Sequence, residues 1–378
     1  MAVDAASLER AGELKGELVA FSQQPRYERA VSLFLVEYGN GLEEFDEQRL
    51  VLLWDCFVLE HKLANGRTVV EQFVAASPQL SEGEREMLLG WRDVVQGPFE
   101  VLRRDGPALV VQSLVDELTY RVRSNMGPDI FRQMPRKSFI IARLVAVGDE
   151  WMLSGPISLL RAAEHDIAYR LAMDMALRTP EAVFRNPEKL ALAWKQQGAD
   201  RDRFIRFFGA DLVVVPGDQA QDRMNGYYRF CREEILGRPE PEGLPPGVAV
   251  TLPPDLVESE TVALIYDETD GMGYYAEFGL VEQAFANPDL LRRSRWREHV
   301  LSYLHDDSVE PMVLRRLAER DPEKASVVFR RLLKRPRFEW SRDGEELMRE
   351  TKPDYYARPP RPQVSPVSER LAAYAAQR

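Results

Sequence analysis

The sequence is poor in the residue types that build disulfide frameworks and metal sites. Its 378 residues include two cysteines, Cys56 and Cys231, and four histidines. A disulfide framework needs several cysteines and a structural zinc site needs closely spaced pairs, so we expect neither. The two thiols are expected to be reduced, as in a cytoplasmic protein.

Long hydrophobic runs are also missing. No stretch of 18 apolar residues occurs, so we predict no membrane-spanning helix and no membrane partner. The first residues carry acids and lack an apolar core, so they are not expected to act as a signal peptide. Together these absences predict a cytoplasmic location.

The best-marked catalytic motifs are absent as well. The sequence contains no G-x-S-x-G, no Walker A and no dinucleotide-binding G-x-G-x-x-G motif. Two His-Asp dipeptides occur, at His165 and His305, without the further ligands that a phosphohydrolase would need. The sequence therefore favours a protein that is not an enzyme and needs neither cofactor nor metal.

The composition is that of a globular protein with an uneven charge. Hydrophobic residues make up 45% and charged residues 29%, and the length suits two to three domains. The net charge is −11, from 50 basic and 61 acidic residues. Residues 291–378 hold 20 basic and 14 acidic residues, a local charge of +6, so the overall acidity does not exclude an anionic partner there.

Hydrophobic periodicity predicts a mainly helical α+β protein. Helical spacing dominates, and four helix starts place proline at the first position, as at Asn186-Pro187 and Asp321-Pro322. After Gly97 the period changes to two, and five short strands suggest a small barrel, since a flat sheet of this size would expose its edges. Helix is expected to resume at Ile157. The predicted segments are a helical region (1–96), a small β-barrel-like module (97–155), a helical region (156–237), a proline-rich linker (238–254), a hairpin-plus-helix domain (255–350) and an extended tail (351–378).

An acidic hairpin is the first candidate site. Strands are predicted over Thr261–Tyr266 and Gly273–Glu277, with Asp and Gly residues in the turn between them. A calcium loop does not fit, because Tyr266 stands where the first carboxylate should be. Aromatic rings beside carboxylates make a plausible recognition loop, although alternating aromatics on a strand more often reflect core packing. The candidate residues are Asp267, Glu268, Asp270, Tyr274, Tyr275 and Glu277.

Two basic clusters are the second candidate. One lies at a predicted helix start and the other at a helix end, where cations suit the helix dipole. A solvated or dipole-complementing surface explains them, and a phosphate or an acidic protein is the alternative. The first cluster is Arg292, Arg293, Arg295 and Arg297, and the second is Arg330, Arg331, Lys334, Arg335 and Arg337.

Part of the chain resembles a known group of bacterial proteins. The segments Asp55–Glu60, Leu63–Thr68, Leu80–Arg85, Pro98–Val101, Asp116–Val122 and Ala142–Asp149 resemble the body of SEC-C motif-containing proteins. The resemblance implies a helical segment leading into a small β module, over about 100 residues. The zinc knuckle of that group is absent here, so its zinc site and partners do not carry over.

These patterns leave three functional hypotheses. The leading one is a non-enzymatic protein-interaction or scaffold module with an unknown protein partner. The first alternative is nucleic-acid binding by the barrel and the basic clusters. The second is an unrecognised metal-dependent enzyme that uses the acidic loop at 267–277.

Overall fold

The computed structural model describes residues 4–39, 47–237 and 250–375. The chain divides into two compact units. Unit 1 is Met1–Leu190 with Ser365–Arg378, and unit 2 is Ala191–Val364. Most of the predicted proline-rich linker, residues 238–249, lies outside the described residues.

Unit 1 begins with a group of helices. Two of them start with a capping box, in which Thr68 and Ser81 each accept a hydrogen bond from the third helical amide. Their apolar sides share a core with the fully buried Trp91. The helices are α1 (Ala5–Ser22), α2 (Glu28–Tyr38), α3 (Glu47–Leu59), α4 (Val69–Ala76) and α5 (Glu82–Gly90).

The predicted small barrel is confirmed. Five strands close in the order β1-β2-β3-β5-β4, with β3 parallel to β5 and the other pairs antiparallel. Alternate side chains, such as Phe99 and Val111, fill the interior. The strands are β1 (Val95–Asp105), β2 (Ala108–Ser113), β3 (Thr119–Arg123), β4 (Phe139–Val147) and β5 (Glu150–Leu160).

The last barrel strand is longer than the sequence predicts. Helix was expected from Ile157, but β5 continues to Leu160, which pairs with Phe139. Gly155-Pro156 looks like a strand end in the sequence. In the structure Gly155 has a φ of +73°, and the β4–β5 register shifts opposite it, so a bulge absorbs the irregularity and pairing resumes.

Helices complete unit 1. The proline-led starts at Thr179-Pro180 and Asn186-Pro187 are both present. Leu371, near the chain end, is buried in the core that α6 shares with Val115 and Phe139. These helices are α6 (His165–Arg178), α7 (Pro180–Val183), the start of α8 (Pro187–Phe208) and α17 (Glu369–Ala375).

A buried ionic network fastens the helical part of unit 1 to the barrel. The Asp55 carboxylate, on α3, accepts from Lys15 Nζ at 2.5 Å, Ser154 Oγ at 2.7 Å and Arg143 Nε at 2.7 Å. Burial alone would raise the pKa of Asp55, but Lys15 and Arg143 hold it below its ordinary value. Ser154 is also buried, so its hydroxyl serves this network.

Removing the carboxylate should strongly destabilise unit 1. In Asp55→Ala, Lys15 and Arg143 lose their shared counter-ion while buried, which costs about 3–5 kcal/mol of unfolding free energy. Asp174→Ala, which removes an exposed acid, should change it by less than about 0.5 kcal/mol. Urea unfolding measures both. A loss below about 1 kcal/mol for Asp55→Ala would contradict this account of the network.

Unit 2 is built around a three-stranded antiparallel sheet in the order β6-β7-β8. The apolar segment Val213-Val214-Val215 lies in strand β6. The strands are β6 (Leu212–Pro216), β7 (Thr261–Asp267) and β8 (Gly271–Ala276). The helices are the rest of α8, α9 (Gly217–Leu236), α10 (Pro254–Val257), α11 (Phe278–Ala286), α12 (Ser294–His305), α13 (Pro311–Arg320), α14 (Pro322–Leu333), α15 (Trp340–Thr351) and α16 (Pro353–Tyr356), with a 3-10 helix at Pro288–Arg292.

The central strand β7 is buried on both faces. Ala263 and Ile265 enter a core formed mainly by α11 to α15. Val262, Leu264 and Tyr266 enter a second core with α8 and α9. The β7–β8 turn therefore lies at one end of a strand that is held by helices on both sides.

The fold class is thus mainly α, in an α+β arrangement, as predicted. No helix in the described residues has the length and apolar character needed to cross a bilayer.

Candidate functional site

The acidic residues predicted as a site at the β7–β8 turn lie in different environments. Asp267 accepts hydrogen bonds from the amides of Thr269 (2.8 Å) and Asp270 (3.2 Å) through one oxygen, and from Arg316 (2.8 Å) through the other. Burial would raise the pKa of Asp267, but these donors hold it below its ordinary value. Asp267 therefore shapes the turn, with its charge already paired.

Asp270 faces a different environment. Its carboxylate is half-buried and accepts a hydrogen bond from the hydroxyl of Tyr355 at 2.8 Å. A second carboxylate, Glu310, accepts from the hydroxyl of Tyr275 at 2.6 Å. Neither acid forms an ion pair with a lysine or arginine in the described part of the chain. The direct partners of these two carboxylates are therefore neutral hydroxyls, and neither carboxylate is neutralised by a direct ion pair within the described residues.

Both acids line one cavity, which we call the hairpin cleft. It has a volume of about 660 Å³ and lies entirely within unit 2. The β7–β8 turn, the loop before α13, and the segment from the end of α15 to Arg361 form its walls. Its polar lining includes Asp270, Glu310, Arg315, Lys352 and Tyr355, together with the exposed Arg358 and Arg361.

The inner cations of the hairpin cleft have other partners. Arg315 donates to both carboxylate oxygens of Glu345, at 2.9 and 2.8 Å, and to the Tyr356 hydroxyl. Lys352 is 2% exposed and donates to the backbone carbonyl of Asp306. Burial lowers the pKa of Lys352, although the carboxylates of Asp306, Asp307 and Glu310 act in the opposite direction.

Burial is the main cause that raises the pKa of Asp270 to about 6; the negative charges of Asp267 and Glu310 also raise it, whereas the Tyr355 hydrogen bond and Arg315 lower it. A cation placed in the hairpin cleft would favour the ionised form of Asp270. The arrangement can therefore receive a positively charged group, and it couples that binding to proton release.

A proline-rich segment closes one side of the hairpin cleft. Gln363 accepts from the Met272 amide at 2.9 Å and donates to the carbonyls of Asp270 (2.8 Å) and Met272 (3.2 Å), which pairs with the edge of β8. Gly271 permits this approach, because a Cβ there would lie 2.6 Å from Gln363 and its φ is +71°.

The structure places the other predicted hairpin residues elsewhere. Tyr274 points into the core shared with α8 and α9 and contacts the Tyr228 hydroxyl at 3.2 Å, because neighbouring residues of a strand face opposite sides. Glu268 is exposed. Glu277 accepts from the Glu260 amide at 3.1 Å just before α11. Of the six candidates, Asp270 and Tyr275 contribute to the hairpin cleft.

The acids of the hairpin do not share a metal site. Each of Asp267, Asp270 and Glu277 has a different partner, as described above. Among the residues that the structure describes, no three histidine, cysteine, aspartate or glutamate side chains are grouped as a metal would require.

The two basic clusters meet in unit 2. Arg331 lies 3.0 Å from Asp289 and Arg292 lies 3.6 Å from the same carboxylate oxygen. Arg295 pairs with Glu260 and Arg335 with Glu350, while Arg330 donates to the carbonyl of Phe338. Arg293, Arg297, Lys334 and Arg337 are exposed and form no ion pair within the described residues.

Sequence reasoning missed the partners of Asp270 and Tyr275. Glu310 precedes Pro311 at a helix start, so in the sequence it reads as a helix-cap residue and gives no sign of a binding role. Tyr355 is 85 residues from Asp270, and its only sequence signal is the adjacent Tyr356 in a proline-rich tail. Nothing in local periodicity links these positions.

The chain matches no known protein-family model, and neither the curated proteins nor the solved structures include one with detectable similarity to it.

The raised pKa of Asp270 predicts a pH-dependent stability. The folded carboxyl keeps its proton up to about pH 6, whereas the unfolded one loses it near 3.8. Stability therefore falls as the pH rises through this window, and Asp270→Asn avoids that loss. The melting temperature of the variant should gain roughly 2–4 °C over the wild type between about pH 4.5 and 7.5.

The matched control is Glu268→Gln, which changes an exposed acid in the same turn. Its difference from the wild type should be independent of pH. A melting-temperature difference for Asp270→Asn that is equal at both pH values would contradict the assignment.

Proposed function

We propose that the protein is a non-enzymatic interaction module that binds a partner protein through unit 2. In this proposal, the hairpin cleft receives a lysine or arginine side chain of the partner. The observation that carries the proposal is the pair Asp270 and Glu310, each held by a tyrosine hydroxyl and neither paired with a cation.

The negative charges of these two carboxylates are unfavourable in the free chain. Half-buried carboxylates without a direct ion pair lose hydration and regain only part of that free energy from more distant cations such as Arg315, so an incoming cation relieves a cost that the free chain already bears. The cavity of about 660 Å³ is large enough for one long side chain and part of the neighbouring backbone. Binding pockets for single anchor residues of this kind dominate many protein interfaces.

The alternatives have less support. For nucleic-acid binding by the barrel, Arg121 and Arg123 offer no free cation because both pair with Glu150, although Arg103 and Arg104 on β1 are exposed. The metal-dependent enzyme lacks a ligand cluster among the described residues. The similarity to SEC-C motif-containing proteins stays a prediction and supplies no function.

Nα-acetylarginine amide, called arginine amide from here on, is the probe that tests the cleft. In amide-resolved NMR spectra of the full chain, we expect saturable shifts at residues 269–271, 352 and 354–356. Nα-acetylcitrulline amide has nearly the same shape but no charge, so it should cause no such shifts. The double variant Asp270→Asn/Glu310→Gln should lose the response, and the control Glu268→Gln/Glu319→Gln should keep it. Equal shifts with both probes would refute the proposed recognition.

The same probe should bind in a pH-dependent manner. Below about pH 6 Asp270 is protonated and attracts the cation less, whereas Arg315 and the hydroxyls of Tyr275 and Tyr355 keep their charge state. Affinity for arginine amide should therefore fall roughly fivefold to tenfold from about pH 7.5 to 5, equivalent to about 1–1.4 kcal/mol. In Asp270→Asn this dependence should largely disappear. A wild-type affinity that stays constant across the range would count against Asp270 as the cation's partner.

A further inference from the structure

A second surface of unit 2 carries an excess of positive charge. Arg292 from the 3-10 helix and Arg331 from α14 share one oxygen of Asp289, which joins two clusters that lie almost 40 residues apart. Arg331 also donates to the carbonyl of Pro288 at 2.5 Å. We call this joined surface the basic edge. It comprises Arg292, Arg293, Arg295, Arg297, Arg330, Arg331, Lys334, Arg335 and Arg337.

The charges of the basic edge are only partly neutralised. Asp289 pairs with two arginines, so its single negative charge neutralises one of their two positive charges. Glu260 and Glu350 neutralise Arg295 and Arg335. Four further cations are exposed and have no ion-pair partner among the described residues, namely Arg293, Arg297, Lys334 and Arg337. The basic edge therefore carries positive charge in excess of the acids that pair with it in the described residues.

Helix dipoles explain only half of the basic edge. Arg330, Arg331 and Lys334 lie at the C-terminal end of α14, where cations are favourable. In the first cluster, Arg292 lies in the last turn of the 3-10 helix, whereas Arg293, Arg295 and Arg297 lie at the opposite kind of terminus. Arg293 caps the N-terminus of α12, and its first turn contains no acid. A cation there opposes the dipole and costs roughly 0.3–1 kcal/mol, so a structural role does not account for it.

The side chains of the basic edge favour phosphate as the anion. Eight of its nine cations are arginines, whose planar fork can donate two parallel hydrogen bonds to one phosphate. Trp296 offers little surface for stacking, because Arg293 and Arg295 lie 5.5 and 5.9 Å from its ring and its indole N–H donates to Gln283. Phe338 is buried. Contacts to the backbone are therefore available, whereas base stacking is not.

We propose that the basic edge binds the phosphate backbone of duplex nucleic acid without reading its sequence. This binding goes beyond the proposed protein interaction and uses different residues. The acidic surface elsewhere is no obstacle at physiological salt, because charges more than about 8 Å away are largely screened.

The test is fluorescence anisotropy with the full chain and a fluorescein-labelled DNA duplex, titrated at several salt concentrations. The test variant is Arg293→Gln/Arg297→Gln/Arg337→Gln, which breaks no ion pair within the described residues. It should bind at least about tenfold more weakly at low salt. The slope of log affinity against log salt should fall by about 2–3, close to the value for three lost phosphate contacts.

The matched control removes three exposed arginines from unit 1, in Arg132→Gln/Arg136→Gln/Arg178→Gln. It should retain both the affinity and the salt slope. The cleft variant Asp270→Asn/Glu310→Gln should also bind the duplex normally, so failure of this proposal and failure of the proposed function are distinguishable. Circular dichroism confirms that each variant is folded.

Four results would overturn the proposal. The first is no binding of the duplex at low salt, and the second is binding that the test variant leaves unchanged. The third is much tighter binding of a single strand, which would indicate base stacking. The fourth is competition by polyglutamate as effective as that by DNA at equal charge, which would indicate an acidic polypeptide as the occupant.

Discussion

Burial of β7 on both faces is the constraint on which unit 2 depends. Five consecutive residues, from Val262 to Tyr266, are at most 5% exposed and alternate between two helical cores. Such a strand cannot slip by one residue, because a slip would exchange every side chain between the cores. The register of β7 therefore fixes the position of the turn that follows it.

The fixed turn gives its two aspartates opposite electrostatic environments. Asp267 ends β7 beside Arg316 and the turn amides, so its charge is paired. Three residues later, Asp270 faces a cavity that Glu310 also lines, and neither of these two acids forms an ion pair within the described residues. The hairpin cleft is thus a consequence of strand register, and its free charge is what makes it a binding site in our account.

The basic edge carries charge of the opposite sign. There, the two arginine clusters are joined by one acid, Asp289, and excess positive charge remains. Unit 2 therefore presents an anionic cavity and a cationic surface built from different residues. The two surfaces suit ligands of opposite charge, which is consistent with a module that contacts more than one partner.

Local signals in the sequence predicted the elements well. The alternation of apolar residues after Gly97 predicted the barrel, and the prolines at Asn186-Pro187 and Asp321-Pro322 predicted helix starts, because both signals depend on neighbours within a few positions. The predicted end of β5 was wrong. A Gly-Pro pair usually ends a strand, but here a bulge at Gly155 lets the pairing with β4 continue. Of the candidate site, the sequence could supply Asp270 but not Glu310 or Tyr355, because contacts across 35 to 85 residues leave no local pattern.

The central claim is that Asp270 and Glu310, which form no direct ion pair within the described residues, bind an incoming cation in the hairpin cleft. The most direct test is to titrate the side-chain carboxyl carbon of Asp270 by NMR, with and without saturating arginine amide. The account predicts a pKa of about 6 in the free chain and a clear decrease when the cation is bound. An ordinary pKa near 3.8 in the free chain, or a raised pKa that the cation leaves unchanged, would contradict it.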